Sequence, residues 1–526
     1  LGNVQRQIAR RKSMREKKLS YKEAVLSKEH FSVTWELVPG RGSTEPAQDQ
    51  VIETARQAVE DPRINAFTIT ENPSGKPAIL PYPLAKQILD ETGGETLIHF
   101  TCKDKNRNEI ESQLHAMNRS KLNNLLVMTG DYTTEGFGGR PKPVFDIDAV
   151  HTLRIIKKMN QGYEIPVRKG TKQLNKTDYF AGAVVSPFKS TEPEQMAQYY
   201  KMHQKVDNGA SYLITQLGYD ARKFDELKRY ADKYDIGVPL IGNIFVLSLP
   251  VAKMMNKNLI PGCVVTDKMI KEMEEEKAKY PDHKERQLLR AAKLYAVLKG
   301  LKYDGATIAG HGMSYKDLCY VLDKGEELLP NWQEIVKEFD YPMDNGFYYF
   351  EKDPVTGLNT DVPVDRTKTG HKRNTLFDRM FGMVHSLVFK ESAPFYPIVK
   401  FFAKKIDKNF LNKPFTWFEY YTKTFTNECR FCGDCVMHEI GFQCPMSKCP
   451  KNQRNGACGG GRDGWCEVYP GKQKCIYVVM YEKLKAHKKE YTMKLRYTPP
   501  CNWDLYKTSS WLNFFNERDY NYRKDE

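Results

Sequence analysis

The chain has 526 residues, 40% of them hydrophobic and 28% charged, with a formal net charge of +15. That is too long for one ordinary domain and fits two or three. No apolar run approaches the roughly 18–20 residues of a membrane span, and the positive charge is spread along the chain without an RNA- or DNA-binding signature, so no transmembrane segment and no nucleic-acid partner are expected.

Residues 1–29 read as a basic, solvated arm, with a helical arm as an open form of the same reading, carrying Arg6, Arg10, Arg11, Lys12, Arg15, Lys17 and Lys18. It has no apolar core of a secretory leader, so the expected compartment is the cytoplasm. From 30 to 330, short β-type runs alternate with amphipathic stretches. The expected strands are Ser32–Leu37, Ala66–Glu71, Thr96–Thr101, Asn124–Gly130, Gly182–Ser186, Ser211–Gln216, Val238–Ile244 and Gly305–Ala309. Ala47–Glu60, Glu192–Val206, Ala221–Tyr234 and Glu285–Leu298 carry helical spacing. Strands and helices in this alternation predict an α/β fold, a (β/α)8 barrel. An open doubly wound sheet is the alternative, but no G-x-G-x-x-G follows the first strand.

Residues 331–425 read as a connector that becomes helical. Within them Phe381–Phe389 and Pro394–Phe402 are short apolar runs flanked by Lys and Arg. They are expected to be core or interface elements, with membrane-surface contact as the lesser reading. Residues 426–526 form a small cysteine-rich domain, mainly helical or irregular.

Eight of the twelve cysteines fall in the series Cys429-x2-Cys432-x2-Cys435-x8-Cys444-x4-Cys449-x8-Cys458-x7-Cys466-x8-Cys475. In a large chain without a leader, such a series points to metal rather than disulfides. The C-x2-C-x2-C run and the Cys-Pro steps at 444 and 449 suit [4Fe–4S] ligation. Four-thiolate zinc, alone or beside a cluster, is the structural alternative. Cys102, Cys263 and Cys319 read as core thiols, and Cys501 is left unassigned.

Barrel active sites gather at the C-terminal strand ends. There the sequence offers Glu36, His99 with Thr101, Thr129-Gly130-Asp131, Gln216, Asn243 and Gly310-His311-Gly312. A carboxylate at a strand end is as often a loop acceptor as a catalyst. Several at successive ends carry more weight.

Four of these motifs together resemble the methylenetetrahydrofolate reductase family: Phe31-Ser-Val-Thr-Trp-Glu36-Leu-Val-Pro-Gly-Arg41, His99-Phe-Thr-Cys102, Thr129-Gly130-Asp131, and Lys205-Val-Asp-Asn-Gly-Ala210 with Ile214-Thr-Gln216. The resemblance implies an FAD enzyme that reduces 5,10-methylenetetrahydrofolate to 5-methyltetrahydrofolate, or runs the reverse. It implies Glu36 as the general acid and Asp131 as the carboxylate beside the iminium cation. Gln216 and Asn243 would meet the folate, and His99, Thr101, Thr129, Gly130, Asp131 and Lys205 the FAD. The sequence departs from the family at Thr129, at Ala183-Val-Val-Ser-Pro187-Phe188 and at Gln204.

The cysteine-rich block is similar to the C-terminal domain of some family members, which acetogens carry as a separate small subunit. That implies electrons entering from an acidic ferredoxin- or flavodoxin-like protein, with NAD(P)H as the alternative donor, in an oligomer or larger redox complex. Two other readings stay open: a folate-binding methyl-transfer protein without flavin redox, and a zinc-stapled, non-catalytic binding protein.

Overall fold

The computed structural model describes residues 18–280, 282–367 and 376–523. Eight parallel strands close a barrel: β1 (Ser32–Leu37), β2 (Ile64–Ile69), β3 (Thr96–Thr101), β4 (Asn124–Met128), β5 (Phe180–Val185), β6 (Leu213–Thr215), β7 (Leu240–Val246) and β8 (Gly305–Gly310). Neighbours follow chain order, and Trp35 on β1 lies opposite Phe67 on β2 and Ile308 on β8. The expected (β/α)8 architecture is therefore present. β1 and β3 match their expected bounds, and the other strands shift by one or two residues.

The strands read as apolar runs because both faces are covered; every residue of β2 is buried. The surrounding helices are α1 (Pro46–Ala58), α2 (Pro81–Thr92), α3 (Arg107–Arg119), α4 (Ala149–Gln161), α5 (Glu192–Asp207), α6 (Ala221–Lys233), α7 (His283–Gly300) and α8 (Tyr315–Leu328). Two further helices, Leu249–Asn256 and Asp267–Lys279, lengthen the connection from β7 to β8.

The structure differs from expectation at the arm. Residues 1–17 lie outside the described residues, but Tyr21–Leu26 form a short helix that closes the bottom of the barrel. Ser20 and Glu23 cap it reciprocally. Tyr21, fully buried, meets the rings of Phe180 and Tyr212 edge-on at 6.0 and 5.7 Å. Gly182 is required here, since a Cβ on it would stand 2.2 Å from the Tyr212 ring.

The connector also differs. Instead of going straight to helix it forms an antiparallel hairpin, β9 (Phe350–Lys352) and β10 (Asn359–Pro363), stapled to α6. Arg222 donates to the Phe350 carbonyl (2.8 Å) and to Asn359 Oδ1 (2.9 Å), and Asn359 N–H donates to Asp225 (2.9 Å). Three helices then follow as expected: α9 (Leu376–Val388), α10 (Tyr396–Asp407) and α11 (Asn412–Asn427). The cysteine-rich block contributes α12 (Ile476–Lys485) and α13 (Ser510–Phe515).

α5 shows how the block meets the barrel. Its sequence is polar, yet Glu192, Glu194, Gln198, Lys201, Gln204 and Lys205 are all buried. A polar helix buried all round needs partners for its side chains, and the block supplies them. Tyr481 donates to Glu192 (2.6 Å), and Gln204 donates to the Met493 carbonyl (2.5 Å). Asp148, the N-cap of α4, accepts from the backbone N–H groups of Arg454 (3.1 Å) and Asn455 (2.9 Å). The cysteine-rich block is thus built into the barrel wall.

Candidate active site

The mouth begins with an acid. Glu36 sits next to the end of β1, with His99 Nε2 from β3 at 3.9 Å from its carboxylate. Burial raises the Glu36 pKa to about 7 and lowers that of His99 to about 4. The imidazole is therefore neutral near pH 7, and Glu36 holds its proton for about half the time. The thiol of Cys263 shares this space. Burial first, then Asp131 and Glu36 against the opposing Lys189, push it up to about 12.

The turn after β4 presents Asp131. Gly130 takes φ +85°, and a Cβ there would meet Thr101 Cβ at 2.9 Å, so only glycine lets the two strand ends approach. Asp131 accepts from the Ser74 N–H at 2.8 Å, which fixes its carboxylate. A buried Lys105–Glu71 pair at 2.6 Å anchors the end of β3, where Glu71 also accepts from the Thr101 N–H at 2.6 Å.

Gln216 follows β6 and accepts from the Leu217 N–H at 2.9 Å. Its amide nitrogen faces Gly262, which also approaches the Gly459 carbonyl and Gly460 Cα of the cysteine-rich block. Asn243 on β7 is held through its backbone N–H by Thr215 (3.0 Å). His311, which the sequence places just after the last strand, lies exposed on the rim.

Several expected cofactor residues already have protein partners. Thr129 donates to Gln453 at 3.2 Å, and the Gly130 carbonyl accepts from Lys451 at 2.9 Å. Lys205 donates to the Val184 carbonyl, and burial, with Lys201 beside it, lowers its pKa to about 7. Lys201 itself reaches Gln453 (3.0 Å) and the Gly456 carbonyl (3.1 Å). The lysine side of the expected FAD site is therefore where the cysteine-rich block sits. Residues on or just after β2, β3, β5 and β7 are different. The buried atoms Thr68 Oγ1, His99 Nε2, Thr101 Oγ1, Ser186 Oγ and Asn243 Oδ1 have no hydrogen-bond partner among the described residues. Thr68 and His99 among these lie beside Glu36, and unpartnered buried polar atoms of this kind suit a ring edge that carries both donors and acceptors.

All twelve cysteines are free thiols. Among the described residues, no group of three or more His, Cys, Asp or Glu side chains is placed so as to hold a metal ion. The eight clustered cysteines nevertheless divide between two cavities. Cys429, Cys432, Cys435 and Cys444 line one, with Lys423 and Glu419. Cys449, Cys458, Cys466 and Cys475 line the other, with Lys451 and the barrel residues Lys189, Glu194 and Gln198. Spacing had not revealed this partition, which falls between Cys444 and Cys449. Cys501 packs with Cys432 beside the first cavity. Burial, then Cys458, pushes Cys449 up to about 12, and burial opposes the Lys451 ammonium but Glu467 and Cys458 hold its pKa high.

Sequence reasoning missed Lys189, Lys201, Lys451, Gln453 and Asp148. Each acts across a junction between distant segments. The one local signal was Asp148 as an N-cap three residues before His151, a capping box.

The strand-end acid, the glycine-turn carboxylate and the thiol-lined cavity stand together on a (β/α)8 barrel whose strand ends are covered by a cysteine-rich block. The match to the family "Methylenetetrahydrofolate reductase" covers residues 21–297, and "Methylene-tetrahydrofolate reductase C terminal" covers residues 409–504. The chain belongs to the methylenetetrahydrofolate reductase family, a family of oxidoreductases. A curated relative, "Probable methylenetetrahydrofolate reductase (NADPH)" of Caenorhabditis elegans, is 24% identical over 166 residues. The match spans 31% of this chain and only 22% of that protein. Among solved structures, a Clostridium thermocellum protein described as binding two copies of 5-methyl-5,6,7,8-tetrahydrofolic acid is 13% identical. The match covers 59% of this chain and 99% of that one, with a TM-score of 0.41. EDTA monooxygenase from Chelativorans sp. BNC1 is 12% identical, with coverages of 58% and 98% and a TM-score of 0.35.

Proposed function

We propose that the chain reduces the one-carbon unit of 5,10-methylenetetrahydrofolate to 5-methyltetrahydrofolate, in the cytoplasm, with electrons entering through the cysteine-rich block. The observation that carries this reading is the Glu36–His99 pair at the mouth of a family barrel, next to a four-cysteine cavity that barrel residues help to line.

The net change takes up two electrons and two protons. Opening the five-membered ring breaks the bond between the bridging carbon and N10, and Glu36 gives the proton that N10 needs. A carboxyl with a pKa near 7 holds that proton at working pH. Neutral His99 keeps positive charge away from the cation left at N5, and Asp131, fixed by Ser74, sets a negative charge toward it. Gln216 and Asn243 would bond the pterin edge. A flavin bound against His99 and Thr101 would supply the hydride chemistry. Cys429, Cys432, Cys435 and Cys444 would hold one iron–sulfur cluster and Cys449, Cys458, Cys466 and Cys475 another, which would supply one-electron chemistry, and the +15 chain would attract an acidic protein donor. Zinc in the first cavity would make that one structural.

An anaerobic ultraviolet–visible spectrum, with iron and zinc analysis and turnover on methylenetetrahydrofolate, tests the reading. Flavin bands, several irons per chain and reduction of the folate are expected. A colourless zinc protein that binds folate without reducing it would replace this function with methyl transfer.

A further inference from the structure

We propose that helices α9, α10 and α11 form a surface that docks on an anionic lipid bilayer, lying in the plane of its headgroups. Each helix turns an apolar stripe to solvent. On α9 the exposed residues are Met380, Met383, Val384 and Leu387, spaced as one helical face. On α10 they are Ile398, Phe401 and Phe402. On α11 they are Trp417, Phe418, Tyr421 and Phe425, the last 90% exposed. Phe410, between α10 and α11, is 84% exposed. These stripes are not core left bare. The opposite faces already have partners: Tyr396 packs on Phe515 at 5.7 Å, and Glu419 is buried against Ser510 (2.6 Å). Exposed large apolar and aromatic side chains on three successive helices mark an interaction site.

Charge selects the occupant. Residues 376–427, which hold all three helices, carry seven lysines and one arginine against four acids. Two of those acids are taken up internally: Asp407 by Arg518 at 2.9 Å, and Glu419 by Lys423 at 2.6 Å. Lys404, Lys405, Lys408 and Lys413 are exposed beside the aromatic stripes, with Lys405 over the Phe401 ring at 4.4 Å. Phe, Trp and Ile flanked by free lysines is the composition of a helix that lies on an anionic membrane surface. A second copy would bring the same lysines face to face. Spanning is excluded for these helices, because none is long and apolar enough to cross a membrane. The surface lies on its own observations and stands whether or not the reductase reading does.

The test is flotation of the purified full chain with vesicles of phosphatidylcholine, with and without phosphatidylglycerol. Binding to the anionic vesicles is expected, weakening in high salt as the lysine contribution is screened. Phe401→Ser with Trp417→Ser, and separately Lys404→Gln with Lys405→Gln and Lys408→Gln, should each reduce vesicle affinity by about tenfold or more. All five side chains are exposed, so thermal melts should match the parent. Failure to float with either vesicle, or equal binding to neutral vesicles, overturns the proposal. So does a stable dimer in light scattering that the Phe401/Trp417 variant dissociates.

Discussion

Lys451 of the cysteine-rich block donates to the carbonyl of Gly130 at the end of the fourth barrel strand across 2.9 Å. The same ammonium pairs with Glu467 at 2.7 Å, with both side chains 4% exposed. One buried cation thus joins the rim of the second thiol-lined cavity to the turn that presents Asp131. Lys451→Met would leave Glu467 buried without a counter-charge, at an expected cost of about 3–5 kcal/mol in denaturant unfolding. The double replacement Lys451→Met with Glu467→Met should recover most of that loss. Equal destabilisation by the single and double variants would show that the pair does not carry the junction.

Glu36→Gln should abolish folate reduction with flavin content unchanged. The pH dependence follows from the sign of its shift. The folded pKa is near 7, above the ordinary value of 4.5. Activity that needs the protonated acid should fall as pH rises through about 7. Stability from the neutral carboxyl is complete below 4.5 and lost as pH rises to 7. At pH 8 the Gln variant should therefore be the more stable protein, by up to about 3 kcal/mol. Melting temperatures at pH 5 and pH 8 check this; a Gln variant that gains nothing at pH 8 would argue against a buried, strained acid.

Asp148 shows the opposite sign. Burial works against its charge, but His151, Lys201 and the N–H groups of the block outweigh it and hold the pKa at about 2. Its contribution is present above about 3.8 and is lost as pH falls through 2. Asp148→Asn should cost about 2 kcal/mol at neutral pH and flatten the acid limb of the stability curve between pH 4 and 2. Urea midpoints across that range measure it.

The partition of the cysteines predicts metal content. Cys435→Ser and Cys475→Ser lie in different cavities. If each cavity holds one cluster, either variant should keep about half of the parent iron, and the double variant almost none. Loss of all iron in either single variant would point to one shared cluster.

The sequence alone determined the barrel, because parallel strands covered on both faces must be apolar runs between amphipathic helices, and β1 and β3 fell on their expected residues. It also singled out Glu36, His99 and Asp131, since strand ends are local features. Tertiary structure decided the rest. Tyr21 became a plug because the barrel bottom exposes Phe180 and Tyr212, which lie far along the chain. The Arg222–Asn359 staple made a hairpin where composition suggested a connector. The cysteines divided between Cys444 and Cys449, although the spacing there is shorter than in the adjacent gaps. Lys451 and Gln453 reached the mouth through contacts more than 300 residues apart in sequence. Periodicity reports which face of an element is covered; it does not carry the identity of what covers it, and the junction between barrel and cysteine-rich block is made of such coverings.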